Sequence, residues 1–238
     1  MKFWPPSSPI PQRDTPELLD SRSFSQVEVA RSLADVARIN SFLGATKPLY
    51  DSVLEIIEGA NLKRARVLDI GSGNGDFARR LIAHAQKRGI EVRVVALDIS
   101  QLHLNIARDL TPASAPLELL CADIFALPLG DQSVDIVTSS LFLHHFRPGQ
   151  IERILGECCR VARLGWAMND CARDGWALAS FRVLRPFLAR SSITRFDALA
   201  SIRRSYTPDE MRAVVSSCRG AKVRALFPYR LQVEWKRP

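Results

Sequence analysis

The stretch VLDIGSGNGDF, residues 67–77, limits the fold of this chain more than any other part of the sequence. It begins with an apolar run that has β-branched members, which predicts a buried strand of a parallel sheet. Gly71, Gly73 and Gly75 follow at once. Because glycine has no Cβ, the backbone there can turn sharply and approach a ligand closely. Residues 77–85 then carry apolar side chains on one face of a predicted helix, so the stretch predicts a strand, a ligand-binding turn and a helix in succession.

The turn differs from those of other nucleotide-binding proteins. The dinucleotide-binding pattern G-x-G-x-x-G needs a glycine where this chain has Asp76. A phosphate-binding P-loop needs Gly-Lys followed by Ser or Thr, and that sequence does not occur here. Asp69, which directly precedes the turn, suits a cationic amino-acid ligand better than a diphosphate. The turn alone remains a weak indication, because many nucleotide-binding proteins have glycine-rich turns.

Predicted strands and helices alternate through the middle of the chain. The predicted strands are residues 64–70, 91–97, 117–121, 133–139 and 164–168. The predicted helices between them are residues 76–88, about 100–110 and about 148–161. Such alternation indicates an α/β fold in which helices cover both faces of a parallel sheet.

Both ends of the chain carry further predicted elements. Before the alternating region, residues 1–15 are proline-rich and predicted to be disordered or loosely draped, and two helices follow at about residues 25–43 and 48–58. After the alternating region we predict a helix at residues 174–188 that stops near Pro186, and then an arginine-bearing insertion at residues 190–205. A helix from Thr207 to Gly220 follows and starts with a capping box. The chain ends in antiparallel strands at residues 222–227 and 229–235.

Composition excludes several classes of protein. No stretch of about 20 apolar residues occurs, so we expect no membrane span, and the first residues have no apolar segment typical of a secretory signal. The five cysteines are odd in number and form no C-x-x-C pattern, which argues against a disulfide or metal scaffold and fits a cytoplasmic protein. Cys121 is predicted to be buried on a core strand. The net charge of +8 permits nucleic acid or anionic lipid as a partner, but the arginines form no dense run and favour a solvated basic surface.

Residues 67–77 resemble motif I of the class I S-adenosylmethionine-dependent methyltransferases. Further similar segments follow in the family's order: VVALDIS at residues 94–100, CADIFALPL at residues 121–129 and DIVTSSLFLHHF at residues 135–146. The resemblance covers residues 64–170. It implies a Rossmann-like fold with a seven-stranded mixed sheet, mostly parallel with an antiparallel C-terminal strand, preceded by an N-terminal helical lid.

The resemblance also implies S-adenosyl-L-methionine as cofactor. In the family, the acid at the position of Asp69 orients the methionine end, the acid at Asp98 binds the ribose hydroxyls, and the acid at Asp123 lies by the adenine amine. The implied cofactor-binding residues are Asp69, Gly71, Ser72, Gly73, Gly75, Asp98, Ile99, Asp123, Ile124 and Ser139. From the residues alone, Asp98 could instead form a turn at a strand end, and Asp123 could cap a turn.

The end of the fourth predicted strand is where we expect methyl transfer, because ligands of open α/β sheets lie beyond the carboxyl ends of the strands. The Asn/Asp-Pro-Pro-Tyr/Phe pattern of related enzymes that methylate base or glutamine nitrogens is absent here, which argues against an amine acceptor. A neutral histidine, with a pKa of about 6.5, can take a proton from a hydroxyl acceptor. We predict His145 as this catalytic base, with His144 as the alternative; both histidines could also serve only to bond the backbone.

Three segments resemble bacterial small-molecule methyltransferases linked to polyketide, phenolic-lipid or quinone pathways. They are NDCAR at residues 169–173, RSLADVARINSFLG at residues 31–44 and LASIRRSYTPDEM at residues 199–211. This resemblance implies contacts with the methyl acceptor from Asn40, Asn169, Arg173 and Arg203. On the residues alone, Asn40 could bond backbone and Arg173 could pair with Asp170.

The sequence thus predicts a methyltransferase that acts on a small molecule at an aromatic or polyketide-like hydroxyl. Methylation of a ring carbon is the next alternative. The alternatives are an RNA or protein methyltransferase and a non-catalytic cofactor-binding module. We expect residues 1–60 to form a tail and lid, and residues 61–238 to form the methyltransferase domain with a substrate insertion at about residues 171–206. We expect no bound metal and a monomer or homodimer.

Overall fold

The computed structural model describes residue 8, residues 10–21 and residues 23–238. Its strands are β1 (Arg64–Ile70), β2 (Glu91–Asp98), β3 (Leu117–Cys121), β4 (Val134–Ser140), β5 (Ala162–Cys171), β6 (Lys222–Leu226) and β7 (Arg230–Lys236). They form one seven-stranded sheet in the order β3-β2-β1-β4-β5-β7-β6. Neighbouring strands from β3 to β5 pair in parallel, whereas β7 is antiparallel to both β5 and β6. The predicted mixed sheet of the Rossmann-like fold is confirmed.

Eight α-helices surround this sheet in the described part of the chain. They are α1 (Gln26–Phe42), α2 (Lys47–Gly59), α3 (Asp76–Lys87), α4 (Gln101–Asp109), α5 (Pro148–Val161), α6 (Gly175–Leu188), α7 (Ser192–Arg204) and α8 (Pro208–Val214). Capping residues explain where several of them begin. At α8, the Thr207 side chain accepts from the Glu210 amide and Glu210 bonds back to the Thr207 amide, which confirms the predicted capping box.

Some predicted boundaries near the C-terminus were wrong. The helix predicted at residues 174–188 is confirmed as α6, which ends at Leu188, two residues after Pro186; other boundaries differ. The predicted insertion at residues 190–205 is mostly the helix α7. The helix after Thr207 ends at Val214, and a short 3₁₀ turn follows it before Gly220.

The burial of Cys121 differs from the prediction, and β7 is buried on both faces. Cys121 is exposed, because β3 lies at the edge of the sheet and has no neighbouring strand on its outer side. On β7, the polar residues Arg230 and Gln232 are as buried as the apolar residues that alternate with them. The Gln232 amide donates to Ser52 Oγ of α2 at 2.5 Å, so α2 covers the polar face of β7.

The sheet has an apolar core on each face. One core joins the sheet to α5 and α8 and includes Leu155 and Trp166. The other joins it to α2 and α3 and includes Leu54 and Leu81. The remaining helices α1, α6 and α7 pack chiefly on one another, with α1 also touching α4. None of the described helices has the length and apolar character needed to cross a bilayer.

The described part of the N-terminal segment lies against the helices α6 and α7. The Ser8 amide donates to Asp174 at 3.0 Å, and the Arg13 amide donates to the Arg203 carbonyl at 3.1 Å. The amides of Leu18 and Leu19 both donate to the carboxylate of Asp197 on α7. These bonds hold residues 17–20 in place; residues 1–7 and 9, on which part of the disorder prediction falls, lie outside the described residues.

A substitution at Gly165 tests how closely β5 and β7 pack. Gly165 has φ +152°, and a Cβ there would lie 2.2 Å from the carbonyl oxygen of Trp235. We expect Gly165→Ala to lower the free energy of unfolding by about 2 kcal/mol or more, because the opposing backbone must shift. Gly156 on α5 is the matched control: its Cβ would meet nothing within 4 Å. Gly156→Ala should raise stability by about 0.5–1 kcal/mol, measured by chemical denaturation; equal effects of both changes would contradict this account.

Candidate active site

A cavity of about 920 Å³ lies at the carboxyl ends of β1, β2, β4 and β5. Its walls are the glycine turn after β1, the end of β2, the loop after β4 and the inner faces of α1, α6 and α7. Most of the lining is apolar, and its polar groups come from the strand ends, the helices and the N-terminal segment. A cavity of this size and composition is typical of a small-molecule site, with room for more than one ligand group.

The glycine turn is tied to the end of β2 by one carboxylate. Asp98 Oδ2 accepts from the Gly73 amide at 2.8 Å, and its Oδ1 accepts from the Ser100 amide at 2.9 Å. Gly71, Gly73 and Gly75 all have positive φ, between +54° and +71°, which a residue with a Cβ rarely adopts. Asp98 therefore does form a turn at the strand end, and it also lines the cavity.

The buried groups beside the turn suit a cationic ligand. Asp69 is 1% exposed and its Oδ2 has no hydrogen-bond partner among the described residues. Burial, with the nearby charge of Asp98, raises the pKa of Asp69 well above its usual value. Ser72 Oγ is also buried without a partner. A ligand with an amino group would neutralise this carboxyl and supply the missing hydrogen bonds, so the residues present fit the methionine end of S-adenosylmethionine.

The ten predicted cofactor residues divide into two groups. Five line the cavity: Gly71, Ser72, Gly73, Asp98 and Ile99. The other five, which lie outside its lining, are Asp69, Gly75, Asp123, Ile124 and Ser139. Asp123 is exposed and caps a turn by accepting from the Phe125 amide at 2.9 Å, whereas Ile124 and Ser139 are buried. Ile99 lines the cavity and is 74% exposed, so its side chain is accessible to a ligand.

His144 is fully engaged by two carboxylates. Its Nδ1 lies 2.7 Å from Asp170 Oδ1, and its Nε2 lies 3.0 Å from Glu17 Oε1. Burial alone would lower the pKa of His144, but the charges of Asp170 and Glu17 and the hydrogen bonds to them raise it well above its usual value. The side chain is therefore an imidazolium that holds its protons, and its geometry does not suit a base.

His145 is placed differently from its neighbour. Its Nδ1 lies 3.3 Å from Asp20 Oδ2, while its Nε2 is 4.0 Å from Glu17 Oε2, beyond hydrogen-bonding distance. Its side chain is 23% exposed and lines the cavity. Despite partial burial, which would raise it, the hydrogen bond from His145 lowers the pKa of Asp20, so this carboxylate can orient the ring. Of the two histidines, His145 has the arrangement that a proton acceptor needs.

The predicted acceptor-binding residues are not brought together. Asn40 lines the cavity, and its Oδ1 accepts from Arg230 Nη2 at 2.7 Å. Asn169 is buried outside the cavity lining, with neither amide atom partnered among the described residues. Arg173 is also outside the lining and pairs with Glu210 rather than with Asp170. Arg203 lines a separate cavity of about 440 Å³ on the other side of α7.

Several cavity residues were missed by the sequence analysis. Glu17 and Asp20 come from the segment before α1, and Glu17 is 127 positions from the histidine that it contacts. No local pattern marks such a pair, since only folding brings the two segments together. Apolar residues of α6, such as Phe181 and Leu184, form a wall of the cavity and were assigned only to an insertion. Phe142 packs so closely over Gly71 that a Cβ there would lie 2.3 Å from its ring.

The imidazolium of His144 should give stability a distinct pH dependence. A group whose pKa is raised by folding stabilises fully below its unfolded pKa, about 6.5, and this contribution disappears as the pH rises to the folded pKa. We expect the difference in unfolding free energy between wild type and His144→Gln to be largest near pH 6 and to fall by up to about 1.4 kcal/mol per pH unit above it. Denaturant titrations across this range measure it, and a difference independent of pH would contradict the assignment.

Comparisons with known proteins agree with this geometry. The family described as "Methyltransferase domain" matches residues 67–165. The malonyl-[acyl-carrier protein] O-methyltransferase of Methylococcus capsulatus is 32% identical over 86% of this chain and 70% of its own length. The ubiquinone/menaquinone biosynthesis C-methyltransferase UbiE of Dinoroseobacter shibae is 32% identical over 51% of each chain.

A solved structure supports the fold. The SAM-dependent methyltransferase of Aquifex aeolicus superposes with a TM-score of 0.62 over 90% of this chain and 99% of that one, at 20% identity. The strand order, the glycine turn with Asp98 and the long alignment with the Methylococcus relative lead to one conclusion. This chain belongs to the class I S-adenosylmethionine-dependent methyltransferases, and S-adenosylmethionine is its cofactor.

Proposed function

We propose that this protein transfers a methyl group from S-adenosylmethionine to an oxygen of a small aromatic or polyketide-like molecule. The observation that carries the proposal is one largely apolar cavity whose lining includes both the glycine turn and the Asp20–His145 pair. Methyl transfer requires donor and acceptor side by side with water excluded, and alignment of the reacting atoms is worth up to roughly 7–11 kcal/mol. Carbon methylation of an activated ring needs the same arrangement and is the alternative outcome.

The cofactor end of the cavity is built by Ser72, Gly73 and Asp98, with Asp69 buried directly behind the turn. When bound, S-adenosylmethionine supplies an electrophilic methyl group on its sulfonium. In this proposal the carboxylate of Asp98, already fixed by two backbone amides, accepts from the ribose hydroxyls, and Asp69, whose Oδ2 lacks a partner among the described residues, binds the ligand's amino group after a movement that opens the turn to it. For Asp123 and Ser139, which lie outside the lining, a cofactor contact requires a movement that opens the site toward them.

The acceptor end is built by Asp20, His144 and His145. Nδ1 of His145 faces Asp20, which leaves Nε2 to take the proton of an acceptor hydroxyl while its oxygen forms the bond to the methyl carbon. Such a base contributes typically about 10²–10⁴ in rate. His144 stays protonated beside it, and its positive charge stabilises the developing phenolate or alkoxide oxygen. Of the four residues that the sequence predicted to contact the acceptor, Asn40 lines this cavity.

The N-terminal segment and the helices that cover the cavity would act as its lid. The described part of residues 1–60 contributes Glu17, Asp20 and the inner face of α1 to the cavity lining, and the region 171–206 contributes α6 and α7. These helices shield the strand ends from water and provide the apolar wall that selects an apolar acceptor. Three residues predicted to contact the acceptor lie outside the lining: Asn169, Arg173 and Arg203. We propose that they support the apolar wall or contact parts of the acceptor that extend beyond the cavity.

A carboxylate acceptor is the second candidate. The name of the Methylococcus relative describes methylation of a malonyl group on oxygen. A carboxylate is already ionised at neutral pH and needs no base, so the requirement for His145 separates it from a hydroxyl acceptor. An RNA or protein substrate fits less well, because the cavity is enclosed by helices and largely apolar, although the net charge of +8 would favour a polyanion.

Removal of the Asp98 side chain tests the cofactor site. We expect Asp98→Ala to weaken S-adenosylmethionine binding by roughly 10- to 100-fold, since a charged hydrogen-bonding group is worth about 1.5–3 kcal/mol. The change also frees the Gly73 amide that Asp98 holds. Asp109→Ala is the matched control, an exposed acid at the end of α4 with the same loss of charge. Calorimetry measures both, and full affinity in Asp98→Ala would remove the basis of the proposed site.

Removal of the His145 side chain tests the hydroxyl mechanism. We expect His145→Ala to bind S-adenosylmethionine normally and to lower kcat at least about 10-fold with a phenolic or hydroxyl acceptor. His84→Ala is the control, a histidine on α3 that stacks on Tyr50 outside the cavity. Turnover is measured with labelled cofactor across a panel of phenols, hydroxyquinones and acyl acids. Unchanged turnover on a phenol would exclude His145 as the base, whereas transfer only to acids would favour the carboxylate acceptor.

A further inference from the structure

Glu17, His144 and His145 form a compact cluster in the wall of the cavity. Each offers one ligand atom, and these atoms all lie within 4.8 Å of one another. No other group of three or more His, Cys, Asp or Glu side chains among the described residues meets this condition. The three side chains come from the N-terminal segment and from the loop after β4, and all of them line the cavity.

The two imidazoles are oriented in the same way. Both turn Nε2 toward the Glu17 carboxylate, His144 toward Oε1 at 3.0 Å and His145 toward Oε2 at 4.0 Å. Both turn Nδ1 toward a different carboxylate, Asp170 at 2.7 Å and Asp20 at 3.3 Å. A histidine that binds a metal through one ring nitrogen almost always has the other nitrogen bonded to a carboxylate, a carbonyl or water. Here both histidines have that arrangement, and both Nε2 atoms face the same Glu17 carboxylate.

The distances fit a metal ion with only small side-chain movement. In zinc sites, nitrogen and carboxylate oxygen lie about 2.0–2.2 Å from the metal, so two ligand atoms at a tetrahedral angle are roughly 3.3–3.5 Å apart. The 3.0 Å and 4.0 Å separations in this cluster lie on either side of that value. The ring centroids of His144 and His145 are 4.3 Å apart, so the two rings lie side by side, and no two of the three ligand atoms are more than 4.8 Å apart.

The local charge also calls for a cation. Three carboxylates, Glu17, Asp20 and Asp170, surround the two imidazoles. Arg204, 3.7 Å from Asp20, is the guanidinium that faces this group. With His144 as an imidazolium, the three carboxylates still exceed the positive charges of His144 and Arg204 by one, and a divalent ion that replaces the Nε2 proton of His144 would compensate them.

We propose that Glu17, His144 and His145 bind a divalent transition-metal ion of the zinc class. Two imidazole nitrogens and one carboxylate oxygen favour zinc, cobalt or nickel over magnesium or calcium, which prefer oxygen ligands. Three protein ligands leave a fourth position open toward the cavity, as in catalytic rather than structural zinc sites. Asp170 and Asp20 act as positioning residues that orient the two rings.

The metal site has a consequence that rests on the proposed function. An ion bound to Nε2 of His145 occupies the lone pair assigned to proton transfer, so zinc should inhibit methylation of a hydroxyl acceptor and a chelator should restore it. The binding itself does not depend on any acceptor. Failure of zinc binding and failure of the transferase assay are therefore separate results.

The test treats the full chain with a chelator and then measures zinc binding. Calorimetry gives the affinity, and metal analysis of the dialysed protein gives the number of ions bound per chain. Wild type should bind one Zn²⁺ per chain. Glu17→Gln and His145→Ala should each bind it at least about 100-fold more weakly, and Asp170→Asn about 10- to 100-fold more weakly. His84→Ala, which changes a histidine outside the cavity, should bind as wild type does. S-adenosylmethionine affinity, measured on the same samples, shows that each variant is folded.

Thiols are the competing zinc ligands and need their own control. Cys159 and Cys218 are hydrogen-bonded to each other, and this bond lowers the pKa of Cys159 to about 6. Cys159→Ser should keep the zinc affinity of wild type, and bound Co²⁺ should give the spectrum of nitrogen and oxygen ligands without a thiolate charge-transfer band. Absence of binding in folded wild type, equal affinity in Glu17→Gln and His145→Ala, or a thiolate spectrum would each overturn the proposal.

Discussion

The contact of His144 with Asp170 and Glu17 connects the parts of the chain that enclose the cavity. Asp170 lies near the end of β5, His144 follows β4, and Glu17 belongs to the segment that α7 holds through Asp197. Each bond is short, and the charges are buried, so removal of any one partner leaves an uncompensated group. Together with the bonds from Leu18 and Leu19 to Asp197 and from Ser201 to Glu17, this contact fixes where the N-terminal segment lies against the cavity.

The same contact separates the roles of two adjacent histidines. His144 holds its protons because two carboxylates surround it, whereas His145 faces the cavity with one ring nitrogen directed to Asp20. Enzymes often set acid and base roles by giving similar groups different surroundings. The glutamate that completes the contact with His144 also faces Nε2 of His145, so proton transfer and metal binding draw on the same few atoms.

Prediction from sequence succeeded where local patterns decide the structure. The strand, turn and helix around Gly71–Gly75, the order of the first five strands and the capping box at Thr207 all follow from apolar periodicity and from the limited options of glycine and proline. It failed at α7, whose helical pattern is weak, and at Cys121, where burial depends on which strand lies at the sheet edge. The sequence left open whether Arg173 pairs with Asp170, and its actual partner, Glu210, lies 37 positions away, where no local pattern indicates it.

By itself, the sequence determined the fold class, the cofactor and the position of the glycine turn, because these depend on residues that are neighbours along the chain. Only the tertiary structure decided which groups face the acceptor. Glu17 and Asp20 meet the histidine pair across more than a hundred residues, and Asn169, Arg173 and Arg203 turn out to lie away from the cavity. The physical reason is that proximity in a packed protein is set by the docking of whole elements, here α7 and the N-terminal segment on the strand ends, and no local pattern records that docking.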